Sequence, residues 1–155
     1  MFLNQSQKDI AGVFNRGIKV TYNTTAFTAT TAQTMFTVTG GKVYVRLLMA
    51  TVTTQHGATT VNIKTQTAPT TGTAVALSTD VDTNALEAGG TLYVEGDGTA
   101  TVKANGGVVL ASTVSTGGGF IVSTGTITMT PSATTTGADT WEIWYWPIDD
   151  GAAIS

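Results

Sequence analysis

Threonine alternates with apolar residues along most of this chain, and glycines interrupt the alternation at short intervals. Few chains with that pattern can be helical. A period of two puts successive side chains on opposite faces of an extended strand, and Thr, being β-branched, suits a pleated surface while offering a hydroxyl to water. Thr fills about a fifth of the 155 residues, whereas charged residues reach only 11%, against about a quarter in ordinary globular domains. The polar half of the chain is therefore hydroxyl rather than charge. A surface so poor in charge is weakly protected against association, which predicts an assembled state.

The length fits one domain able to bury a sizeable core. The pattern divides it into an N-terminal arm or short helix over residues 1–17 and a β-domain over residues 18–155. The arm carries Lys8, Asp9 and Arg16 among scattered apolar residues. It reads either as a frayed terminus or amphipathic turn, or as an arm docking on a neighbouring subunit through Phe2, Leu3 and Phe14.

Met35-Phe36-Thr37-Val38-Thr39, Gly40-Gly41 and Lys42-Val43-Tyr44-Val45-Arg46-Leu47 predict a two-residue hairpin, since Gly-Gly supplies the positive φ of a primed turn. Its register would set Val38 against Val43 and Phe36 against Val45. The apolar parity then switches from odd (Val43, Val45, Leu47) to even (Leu48, Ala50, Val52), which predicts a β-bulge or a crossing between sheets near Leu47-Leu48. A second turn at His56-Gly57 would pair Val52 with Val61 and Ala50 with Ile63.

Short strands are expected at Val75–Leu77, Thr91–Val94, Thr99–Val102, Val108–Leu110, Phe120–Val122, Thr126–Thr130 and Trp141–Trp146. A helical turn or loop is expected over residues 83–90. This spacing predicts an all-β fold, an antiparallel β-sandwich or jelly-roll-like single domain.

No catalytic, cofactor or metal site stands out. His56, the only histidine, falls in a predicted turn and reads as a solvent-exposed loop residue, which does not suit a Ser-His-Asp triad. Asp80-Val81-Asp82-Thr83-Asn84 opens like a calcium loop, but Ala85 stands where the turn glycine is required and Thr91 where the closing glutamate is required; only an irregular site from Asp80, Asp82 and Glu87 is left. Glu87, Glu95, Asp97 and Glu142 are too scattered to define a glycosidase pair. Gly40-Gly41-Lys42 lacks the rest of a phosphate loop, and Gly117-Gly118-Gly119 precedes a strand rather than a helix. A net charge of −3 disfavours a nucleic-acid partner. No stretch approaches the ~18 apolar residues of a membrane span, and the first residues show no secretory signal. With no Cys, disulfides and thiolate chemistry are excluded.

In Trp141-Glu142-Ile143-Trp144-Tyr145-Trp146 both faces are bulky. Trp141, Ile143 and Tyr145 share one; Trp144 and Trp146 share the other. Such a strand must bury both faces, within a two-sheet core or at a subunit interface, where Trp144 and Trp146 would anchor a partner chain or stack a sugar.

Two flanking segments carry a resemblance. Phe36-Thr37-Val38-Thr39-Gly40-Gly41-Lys42-Val43-Tyr44-Val45 resembles the T-V-T-G-G-x-V-x-V opening of a group of small tailed-bacteriophage virion proteins. Gly125-Thr126-Ile127-Thr128-Met129, with the run from Trp141 through Pro147-Ile148-Asp149-Asp150-Gly151-Ala152, is similar to their closing pattern. Trp146 and the charged N-terminal segment depart from it. The resemblance implies a capsid decoration (cement) protein on the virion surface, binding the major capsid protein, homo-oligomeric and most often trimeric, with no catalytic residue to carry over. A tail- or fibre-associated adhesin or carbohydrate-binding module is the alternative expectation.

Overall fold

The computed structural model describes residues 17–57, 60–84, 86–94, 96, 102–104 and 119–155. Phe2, Leu3 and Phe14, with the arm they belong to, lie outside the described residues, as does the expected strand Val108–Leu110. The described chain is all-β, with strands β1 (Ile18–Asn23), β2 (Gln33–Thr39), β3 (Val43–Thr54), β4 (Asn62–Pro69), β5 (Val75–Ala76), β6 (Val81–Asp82), β7 (Thr91–Val94), β8 (Val102–Ala104), β9 (Phe120–Val122), β10 (Gly125–Pro131), β11 (Ala138–Pro147) and β12 (Ala153–Ile154). Residues 83–84 and 86–90 make turns, closed by Leu86 N–H on the Thr83 carbonyl and Gly90 N–H on that of Glu87.

Two antiparallel sheets pack face to face as a β-sandwich. The first runs β1-β11-β3-β7-β8, with β9 also on β3; the second runs β12-β2-β10-β4-β5, with β6 also on β4. Period-two burial follows. Trp141, Ile143, Leu48, Ala50 and Leu92 from the first sheet, and Phe36, Val38, Ile63, Ile127 and Met129 from the second, are shielded from water between the layers. Burying each such side chain contributes roughly 1.5–3 kcal/mol. Tyr145 ties the layers at one end, its hydroxyl accepting a hydrogen bond from Ile154 N–H at 3.1 Å.

Neither expected hairpin forms. β2 and β3 lie in different sheets, as do β3 and β4. The Gly40-Gly41 turn carries the chain across the core from one layer to the other, and β3 finds its partner in β11 instead. Val38 and Phe36 do share the core with Val43 and Val45, but from opposite sheets.

The parity switch is a bulge. Trp144 pairs with Leu47 and Tyr145 with Val45, so Arg46 is the extra residue on β3, and burial moves from Val43 and Val45 to Leu48, Ala50 and Val52. A second shift, on β2, leaves Met35 extra between the pairs Ile127–Phe36 and Thr128–Thr34. That is why adjacent Met35 and Phe36 are both buried.

The Gly40-Gly41 corner requires glycine. Both residues have positive φ, and a Cβ on Gly40 would lie 2.2 Å from the Gly151 carbonyl oxygen. Beside it, Lys42 N–H donates to the Asp149 carboxylate at 2.8 Å, and Ile148 N–H donates to the Lys42 carbonyl at 2.9 Å.

Candidate functional surface

β11 lies inside the first sheet, between β1 and β3, and its alternation sorts its side chains. Asp139, Trp141, Ile143 and Tyr145 point into the core; Thr140, Glu142, Trp144 and Trp146 point outward and are part-buried. The expectation that this strand buries both faces in a two-sheet core is therefore corrected. The sandwich has only two layers, and nothing among the described residues covers the outer side of β11.

Trp144 and Trp146 sit in adjacent cross-strand rows. In one row Lys19, Trp144 and Leu47 are register partners; in the next, Trp146, Tyr44 and Ile121. The Tyr44 and Trp146 rings stack, with centroids 5.7 Å apart and planes 14° from parallel. The Arg46 guanidinium, placed by the bulge, lies 5.7 Å from the Trp146 ring, and the Lys19 ammonium 5.5 Å from that of Trp144. Lys19 also pairs with Glu142, an exposed contact worth at most about 1 kcal/mol. Ile121 is 63% exposed at the end of its row. The result is an aromatic patch edged by two cations. Such a surface suits contact with another macromolecule, where aromatic and Arg anchors dominate binding.

Gly17 precedes β1 at the Trp146 end, where a Cβ placed on it would lie 3.5 Å from the indole carbon Cε2. Whether Phe2, Leu3 and Phe14 join this patch lies outside the described residues.

His56 is not where a turn would put it. It is 1% exposed, its Nε2 lies 2.9 Å from Oδ1 of the fully buried Asp139, and its ring packs edge-on against Phe27 at 5.2 Å. Because His56-Gly57 is no hairpin tip, the chain folds inward there, with His56 N–H held by the Leu86 carbonyl. An imidazole and a carboxylate of triad type are therefore in contact. They are closed off from solvent, however, and among the described residues His56 Nδ1 has no hydrogen-bonding partner and no nucleophile completes the set. The pair fastens the β3–β4 connection to the start of β11.

Asp80, Asp82 and Glu87 do not converge; no group of three potential metal ligands occurs among the described residues, and Asp82 caps Asn84 N–H at 2.8 Å instead.

Residues 36–45 meet residues 125–129 and 149–152 in space. β2 pairs with both β10 and β12, the Gly40 corner rests on Gly151, and Lys42 is held by Asp149. No family model, curated protein or solved structure matches the chain.

Proposed function

We propose that this protein is a structural component of a tailed-bacteriophage virion, a decoration or cement protein that binds the major capsid lattice on the particle surface and stabilises the head. The observation that carries the reading is the convergence of the two resembling segments. Residues 36–45 are separated from residues 125–129 and 141–152 by about half of the chain, yet these segments meet through the β2–β10 pairing and the corner at Gly40, Asp149 and Gly151. Their meeting in one corner supports reading the two segments as a single structural unit. The outer face of the first sheet supplies the docking anchors, Trp144 and Trp146 with Tyr44 and Ile121, and the protein works by binding rather than by catalysis.

Quantitative proteomics of purified particles tests the reading. The chain should be present at a copy number of the same order as the major capsid protein. A few copies per particle would move it to the tail or a fibre, and none would remove it from the virion. Adding purified protein to undecorated heads tests the surface: Trp144→Ser with Trp146→Ser should lose binding roughly 1,000-fold, as removal of two anchors worth about 2 kcal/mol each implies, with the melting temperature little changed. Retained binding would place the interface elsewhere.

A further inference from the structure

The outer edge of β1 points to a second function for this sheet. Sheet edges invite pairing by other chains, and proteins blunt them with bulges, prolines, short strands or projecting charges. The second sheet is blunted in this way: β12, β5 and β6 have two residues each, and the exposed stretch of β2 carries the Met35 bulge. β1 has none of these devices. It runs six residues without a register shift, contains no proline, and its one charge, Lys19, is turned over Trp144 to Glu142. No described strand pairs with its outer side.

The free groups can be assigned. Thr24 N–H donates to the Asp139 carbonyl, so Ile18, Val20 and Tyr22 alternate with it in bonding to β11. The backbone N–H and C=O of Lys19, Thr21 and Asn23 therefore point outward. The inward side chains Ile18, Val20 and Tyr22 pack on the core but stay part-exposed at its rim. A further strand would cover them.

We infer that this edge pairs with the same edge of a second copy, antiparallel about a two-fold axis through Thr21. The register is self-complementary. Thr21 bonds Thr21 of the other copy, Lys19 lies opposite Asn23, so no like charges meet, and Val20 lies opposite Tyr22, placing apolar against apolar on the core side. A shift by one residue would turn every side chain to the wrong face. This contact is a dimer, where the resemblance implies a trimer. It does not depend on the phage reading.

Thr21 allows a selective test. Its N–H takes no part in the β1–β11 ladder, so Thr21→Pro removes only the intermolecular bond, and proline is tolerated at an outward-facing edge position. Light scattering should give a dimer for the full chain and a monomer for Thr21→Pro, with the same melting profile for each at dilutions where both are monomeric. Thr21→Lys, on an exposed side chain, should also give a monomer by setting like charges opposite each other. In a chain without cysteine, Thr21→Cys should form a covalent dimer on mild oxidation, because paired Cα atoms about 5.5 Å apart lie within disulfide range. A monomeric full chain, as when residues 1–16 or another protein fill the edge, would overturn the inference. So would a trimer, a dimer that survives both Thr21→Pro and Thr21→Lys, or failure of Thr21→Cys to cross-link.

Discussion

Asp139 shares the inward row of β11 with Trp141, Ile143 and Tyr145, and a carboxyl group in that row needs a partner. The carboxylate has one, His56 Nε2 at its Oδ1; Thr24 holds the Asp139 backbone instead, its hydroxyl taking the N–H at 2.7 Å and donating to the carbonyl at 3.1 Å. Removing one member of such a buried pair strands the other. Asp139→Ala is expected to lower stability by about 3 kcal/mol, read from the urea midpoint. The His56→Ala/Asp139→Ala double variant should fall short of the sum of the single losses by at least about 1 kcal/mol. Strict additivity would show that the contact contributes nothing. Asp139 shares the parity of Trp141, but the expected strand began at Trp141, so its burial was not read from the sequence. Nor was its partner, because a histidine followed by glycine reads as a turn unless the fold of the loop is already known.

At the scale of elements, the alternation located most strands, and the parity switch located the β3 bulge at Arg46. Pairing was misread for a physical reason. Phe36 and Val38 touch the same core whether β2 folds back beside β3 in one sheet or crosses to face it from the other. The apolar pattern is satisfied by both arrangements, and the partner that decides between them, β11, lies about ninety residues farther along. What the crossing demands is a corner, and Gly40 tests it. Gly40→Ala meets both the cost of a left-handed backbone, about 1–2 kcal/mol, and a carbonyl 2.2 Å from the new carbon. Gly89→Ala is the control, having φ of +84° but nothing within 4 Å of its Cβ position. Thermal unfolding should show Gly40→Ala losing clearly more than Gly89→Ala. Equal losses would mean that the packing of the corner against Gly151 does not matter.

For the whole molecule, the two outer faces differ in kind. Thr34, Thr37, Thr126, Thr128 and Thr130, with Lys64 and Gln66, line the second sheet. The first sheet instead carries Trp144, Trp146, Tyr44 and Ile121. The location of this patch on β11 was readable from the alternation; its exposure was not, because only the layer count decides whether an outward row is covered. Pairing through β1 would continue the first sheet, and an antiparallel edge contact keeps both outer faces on one side. Two aromatic patches would then face the same lattice, and binding of one would raise the effective concentration of the other. Tryptophan emission reports this directly. Trp141 is fully buried, whereas Trp144 and Trp146 are part-exposed, so acrylamide should quench the free protein mainly through the latter two. A Trp144→Phe/Trp146→Phe variant, left with Trp141 alone, should emit further to the blue and resist the quencher. Protein bound to heads should approach that protected level, and quenching as strong as in the free protein would show that the aromatic face does not meet the capsid.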